Sequence, residues 1–386
     1  MNIGLFNESF PPVMDGVAVA VENTAIGLSK LGHDTSVVTP YCPNRNIEHL
    51  FNMVEYPSIP VPFRSPYRVG LPILGRSFAR DLHRTSFDIL HAHSPFSAGQ
   101  LARKKARKAG IPFIATFHSK FKDDFSRVIK NKAIVNAMVK QIISFYDCAE
   151  EVWIPQPAVV ETLREYGYKG KVEVVPNGVD FSGLTDYAQK VKYKQQLDIA
   201  PNTKVLLFVG QHIYEKNLKF ILDSLYCLKR VSYKMFFVGE GYARKDLVKL
   251  TESYGLSSNV DFIGTITDRS RLNTYFRAAD LFLFPSKYDN APLVVREAAA
   301  ALAPSLLLEH STAAEVIVND HNGFLATEDV NVYADAIARI LNADISSIAY
   351  NASQTLCTSW HDVALETADR YKQLILRKSH KPILAT

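Results

Sequence analysis

Short apolar segments alternate with amphipathic stretches along nearly the whole chain, and the alternation runs twice. In the first pass Asn2–Phe6, Thr35–Thr39, Ile89–His91, Phe113–Phe117, Glu151–Ile154 and Glu173–Val175 read as strands. Helices at Val17–Leu31, Ser97–Ala109, Asp124–Tyr146 and Ala158–Tyr166 fall between them. Pro176-Asn177-Gly178 is a turn signal that closes this half, and a polar stretch without a clear core face, Asp180 to Asn202, follows. The second pass sets strands at Val205–Val209, Met235–Val238, Val260–Ile263, Leu281–Phe284 and Ser305–Leu308. Its helices are Leu218–Lys229, Lys245–Tyr254, Arg271–Ala278 and Leu293–Ala301, with two more near Ala313–Val318 and Val332–Leu341. A last helix, Val363–Leu376, has no strand after it. Parallel strands need a crossover, usually a helix, so this rhythm predicts parallel α/β sheets. At 386 residues the chain exceeds what one core holds. Two doubly wound sheets joined by one linker are expected, with a ligand cleft between them.

Composition removes several classes. Cys42, Cys148, Cys227 and Cys357 are scattered, with no CxxC pair, which argues against zinc and disulfides and for a reducing compartment. The chain enters a strand at once, with no charged n-region or cleavage site. No apolar run reaches spanning length, and Ala298–Leu308 is broken by Pro304. A cytoplasmic protein is expected. The net charge of +5 hides an asymmetry: Arg76 to Lys140 holds fourteen Lys/Arg against four acids, leaving the rest slightly acidic. Such a surface attracts anionic lipid headgroups or phosphorylated acceptors, or is a set of solvated helix faces. It lacks the aromatic interleaving of a nucleic-acid binder, and no nucleic-acid partner is expected.

Loops after strands are where open α/β sheets bind ligands. The most informative runs from Pro285 to Ala298. Pro292 suits a first helical turn, where its missing N–H is no loss. Asp289 then lies in the loop and Glu297 about a turn and a half into the helix, so both carboxylates can face one crevice. The plainer reading is an Asx turn and a surface Glu. Gly16, before a helix, lets its backbone approach a ligand and offers N–H groups at a positive helix end, which suits a diphosphate. Lys216, in Val209-Gly210-Gln211-His212-Ile213-Tyr214-Glu215-Lys216-Asn217, is either a point charge for phosphate or a solvated surface lysine. His118 ends a strand, placed to polarise a leaving group or simply to pack. His91 and His93 have His-x-His spacing, but no further ligands can be placed; a packing or polar role is favoured and no metal is expected.

These pieces fall in one order. Phe10-Pro11-Pro12 to Gly16-Val17, Asp88-Ile89-Leu90-His91-Ala92-His93 and Thr116-Phe117-His118-Ser119 come first. Val175-Pro176-Asn177-Gly178-Val179-Asp180, Gly210 with Lys216-Asn217, Val238-Gly239-Glu240-Gly241 and Pro285-Ser286 through Glu297 follow. In order and spacing they resemble the retaining GT-B glycosyltransferases of family 4. The resemblance implies an α/β GT-B fold: residues 1–182 as an acceptor-binding Rossmann-like domain, 183–362 as a nucleotide-sugar-binding one, and 363–386 as a helix returning to the first. It implies a retaining, metal-independent transfer from a nucleotide-diphosphate sugar, a co-substrate with no further cofactor, and a UDP-linked one is favoured. Glu297 would hold the ribose, and Asp289 with the amides near Asn290, Ala291, Pro292 and Leu293 the donor sugar. Lys216 and the Gly16 amide would stabilise the diphosphate, with Gly210, Gln211, His212 and Gly239 lining the donor, and His118 would sit beside the transferred sugar. His118, Asp289, Glu297 and Lys216 are thus the expected catalytic residues.

The chain also departs from the family. Asp289 stands where Glu is usual and is one methylene shorter. Gln211 stands where Arg is usual, and a protonated His212 beside it is the available substitute charge. Glu309 through Glu315 replaces a turn that contains Gly-Gly in many members. The alternative reading is therefore a weak or silent nucleotide-sugar binder on the same scaffold. Ser94–Gly99 and Phe117–Phe125 look nearest to the branch that glucosylates diacylglycerol. That branch implies a membrane glycolipid precursor as acceptor, with a saccharide as the other candidate. It also implies peripheral attachment at the inner face of the plasma membrane through the Arg76–Lys140 segment.

Overall fold

The computed structural model describes residues 1–13, 15–43, 45, 48–61, 67–180, 186–228 and 231–380. Met14, the helix end expected at Lys229 and the domain boundary expected at 182/183 lie outside them. The chain divides into two compact units, Met1–Gly178 with Thr358–Thr386, and Val179–Cys357.

In the first unit the strands are β1 (Asn2–Phe6), β2 (Asp34–Pro40), β3 (Asn52–Tyr56), β4 (Ser58–Pro60), β5 (Arg68–Gly70), β6 (Ile89–Ala92), β7 (Phe113–Thr116), β8 (Glu151–Ile154) and β9 (Val172–Val174). Its helices are α1 (Gly16–Lys30), α2 (Arg76–Arg84), α3 (Ser97–Ala109), α4 (Phe121–Val128), α5 (Lys132–Tyr146) and α6 (Val159–Glu165). Seven parallel strands run β3-β2-β1-β6-β7-β8-β9, and β4 pairs antiparallel with β5. The second unit carries α7 (Lys190–Gln196), β10 (Lys204–Val209), α8 (Leu218–Cys227), β11 (Tyr233–Val238), α9 (Arg244–Ser253), β12 (Val260–Gly264), α10 (Arg269–Ala278) and β13 (Leu281–Phe284). It continues with α11 (Leu293–Ala300), β14 (Ser305–Leu308), β15 (Phe324–Ala326), α12 (Val330–Asn342) and α13 (Ser346–Leu356). Its six strands run β12-β11-β10-β13-β14-β15, all parallel.

Both sheets start in the middle and reverse once, between β1 and β6 and between β10 and β13. Strand order opens a crevice at the carboxyl ends of those pairs. The central strands are apolar and buried on both faces: Leu281 to Phe284 are at most 1% exposed.

Helix α14 (Trp360–Ser379) returns to the first unit and packs on α1. Gly27 permits the contact, since a Cβ there would lie 2.6 Å from that of Ala364. Three expectations need correction. Asp124–Tyr146 is two helices, because Asn131 caps the second by accepting from the Ala133 and Ile134 amides. Pro292 is the N-cap of α11, not a first-turn residue. The stretch expected to lack a core face holds α7, whose buried residues are Lys190 and Lys194. Lys194 pairs with Asp280 at 2.7 Å, and Lys190 donates to the carbonyls of Ala279 and Ala301.

Candidate active site

In the second unit two loops flank the strand reversal, Gly210–Asn217 after β10 and Pro285–Pro292 after β13. Lys216 ends a tight turn, Tyr214–Lys216, and its ammonium forms an ion pair with Asp289 Oδ1, 73 residues away in sequence. It also stands over the rings of Phe284 and Tyr288, 5.6 and 5.9 Å from their centroids. Ser286 Oγ donates to Asp289 Oδ2 at 2.5 Å. The two charged side chains are only 12% and 17% exposed, so Lys216 is not a solvated surface lysine. Asn290 is buried and Leu293 opens α11.

Glu297 is the fifth residue of α11, 13% exposed, and accepts from Arg269 at 2.5 Å. Arg269 follows the N-cap Asp268 of α10 and lies 3.9 Å from Asp180. Gly210 and Gly239 have φ of +153° and +134°, and a Cβ on Gly239 would sit 2.0 Å from the Gly210 carbonyl oxygen. Only glycine lets the loops after β10 and β11 approach this closely.

In the first unit Asp15 caps α1 by accepting from the Ala18 amide at 2.7 Å, and Gly16 begins that helix. A Cβ on Gly16 would meet nothing within 4 Å among the described residues. After β1, Glu8 reaches the start of α3, accepting from the Ala98 amide at 2.9 Å and from Ser97. Three histidines then stand in a row. His91 is held at both nitrogens, by Tyr371 and Thr116 hydroxyls at 2.6 Å each. His93 lies against it, ring centroids 4.1 Å apart, and its Nδ1 is 3.2 Å from His118 Nε2. Desolvation pushes His91 down to about 3 and His118 to about 4, so the row is neutral at pH 7.

The model of Glycosyltransferase Family 4 matches residues 14–182, and that of Glycosyl transferases group 1 matches 189–354. The chain belongs to glycosyltransferase family 4. It is 24% identical over 402 residues to an alpha-monoglucosyldiacylglycerol synthase of Acholeplasma laidlawii, covering 98% of this chain and 100% of that one. Among solved structures it is similar to sucrose-phosphate synthase of Thermosynechococcus elongatus, with a TM-score of 0.81, 19% identity, and 98% and 100% of the two chains covered. Anabaena HepE in complex with UDP gives a TM-score of 0.75 and 17% identity over 97% and 100%. Both structures share the GT-B fold with this chain. A family 4 glycosyltransferase moves a sugar from a nucleotide-sugar donor.

Within this family 4 chain, Lys216, Asp289, Ser286 and the aromatic rings meet in one place, and Glu297 is met by Arg269. His212 corrects an expectation. It is wholly buried against Phe208, Phe237 and Phe262, and burial holds it at about 4. It supplies no charge in place of the one missing at Gln211, because its ring faces the apolar core. Its backbone instead ties the loop, donating to Glu240 and accepting from the Ala243 amide. Arg269 and Tyr371 carried no signal in the sequence, since each meets its partner only through tertiary folding. Ser286 stood inside the Pro285–Ala298 run, but its hold on Asp289 is seen only in the fold. No group of three or more His, Cys, Asp or Glu side chains is arranged to hold a metal among the described residues, and no described helix is long and apolar enough to cross a membrane.

Proposed function

We propose that this glycosyltransferase transfers a hexose, with retention, from a UDP-sugar to a hydroxyl of a membrane lipid such as diacylglycerol. The second unit takes the donor and the first the acceptor. The observation that carries the reading is the Lys216–Asp289 ion pair across the β10/β13 reversal. A cation and a carboxylate held there by two loops match a diphosphate and the hydroxyls of the sugar beside it. Glu297 holds the ribose, and the amides following Asn290 at the start of α11 add to Asp289. Lys216 and the Gly16 amide stabilise the diphosphate as charge develops on it, and His118 stands beside the transferred sugar. Arg269 gives up its hold on Glu297 or shares it when the ribose arrives. The departing phosphate takes the acceptor's proton on the donor's front face, so no side chain need act as a strong base.

The UDP-bound Anabaena relative supports the base, and the Acholeplasma relative supports the lipid. The surface of the first unit supports the membrane. Ile73 and Leu74 are 96% and 69% exposed just before α2, whose Arg76, Arg80 and Arg84 face solvent while Phe78 and Leu82 point inward. An apolar tip beside a cationic helix is suited to an anionic bilayer. A thermal-shift panel of nucleotide sugars tests the donor, because a ligand of the native state raises Tm. A UDP-sugar should give the largest shift; a large shift with a GDP-sugar and none with UDP-sugars would overturn the base. Transfer to diacylglycerol in anionic vesicles, absent in neutral ones, tests the acceptor.

A further inference from the structure

A role for His118 leaves unexplained why a second imidazole is held against it. His93 is 7% exposed, its ring stacks on that of His118 at 5.4 Å and 22°, and its Nδ1 faces His118 Nε2 at 3.2 Å. Desolvation keeps both rings neutral, with the neighbouring His91 adding to the effect on His93. Two neutral imidazoles joined by one hydrogen bond share a single proton in it, so one ring donates and the other accepts.

The other nitrogen of His93 decides which. Nε2 is buried and has no hydrogen-bond partner among the described residues. If His118 donated, His93 would carry its own proton on Nε2, a buried N–H with nothing to receive it. If His93 donates from Nδ1, Nε2 keeps only a lone pair. Orphaned buried N–H groups are the rarer and costlier of the two. The ring of His93 packs against that of His91, centroids 4.1 Å apart, and His91 is itself clamped between Tyr371 of α14 and Thr116 of β7.

We propose that His93 is a positioning residue that sets the tautomer of His118: His93 Nδ1–H donates to His118 Nε2, and His118 carries its proton on Nδ1. His118 thereby holds its proton on the ring nitrogen away from His93, and its Nε2 is closed to proton uptake. The consequence for rate rests on the reading of His118 beside the transferred sugar; the tautomer itself does not.

The test is the imidazole ¹⁵N–¹H spectrum of the histidine-labelled full-length protein at neutral pH. The parent should show His118 protonated on Nδ1; protonation on Nε2 would overturn the proposal without any variant being made. His93→Asn sets an amide N–H near the place of Nδ1–H and should preserve the pattern. His93→Asp sets an acceptor there and should move the His118 proton to Nε2; an unchanged His118 pattern in this variant would also overturn the proposal. With UDP-sugar and lipid acceptor, His93→Asp and His93→Phe should lower kcat by about tenfold or more with donor KM little changed, and His93→Asn should recover to within about threefold of the parent. A tautomer that moves in His93→Asp while kcat does not would keep the hydrogen-bond assignment and overturn the placement of His118 beside the reacting sugar.

Discussion

The two strand reversals of this chain are built in opposite chemical styles. At β10/β13 the side chains are charged and paired: Lys216 with Asp289, Arg269 with Glu297. At β1/β6 and the adjoining β7 a row of histidines is neutral and hydrogen-bonded: His91, His93 and His118, with Tyr371 and Thr116 beneath. A diphosphate carries charge before, during and after transfer, so a cation with a counter-ion holds its place until the ligand arrives. A hydroxyl carries none, and a charged imidazole beside it would have to be desolvated without return. On the proposed function, the same topology presents two kinds of recognition surface, one charged and one neutral.

The comparison is broken most directly by removing charge from one site and the imidazole from the other. Lys216→Gln and Glu297→Gln should each lower kcat/KM by about a hundredfold or more in nucleotide release assays, near the effect of deleting a preorganised transition-state partner. His118→Gln, which keeps a neutral donor, should lose less. A larger loss in His118→Gln than in Lys216→Gln would reverse the assignment of charged and neutral roles.

Asp280→Ala comes next. It strips the counter-ion from buried Lys194 and the acceptor from the Val205 amide, and should cost about 3–5 kcal/mol in urea unfolding with activity per folded molecule retained. The pH profile is a smaller test. His91, His118 and His212 sit near 3, 4 and 4 in the folded protein against an ordinary value near 6.5. The unfolded chain then binds protons that the native state refuses, so stability is complete above about 6.5 and is lost as pH falls from there toward 4. The urea midpoint should decline across that window, and transfer should show no acid limb near 6.5 from His118. Smallest of all, Lys219→Ala removes an exposed pair with Asp223 and should change stability by no more than about 0.5 kcal/mol. A larger change would mean that burial is not what separates the two kinds of charge.

Much of this was legible because the decisive residues lie near one another in sequence or at strand ends. The run from Leu281 to Glu297 shows its strand, loop and helix in seventeen letters. Lys216 was legible as a candidate, but its partner was not, since nothing local joins positions 216 and 289. Helix α7 was hidden because its inward face is made of lysines, which periodicity reads as solvent-facing; carbonyls of Ala279 and Ala301 and the Asp280 carboxylate make that face buryable. The His212 charge failed for the opposite reason: a titratable letter in a polar motif proved to be a core side chain between phenylalanines. The short strands β3, β4 and β5 and helix α2 escaped because the segment holding them has few apolar residues in any regular period.

The return of α14 to α1 has a consequence for how the chain is made. The first unit's sheet is complete by Val174, but the face of α1 around Gly27 is covered by Trp360 and Ala364 of α14. During synthesis that face, together with the unfinished contact beneath His91, waits while the entire second unit is produced. A first unit made without α14 therefore leaves apolar surface uncovered, the condition under which partly folded chains associate.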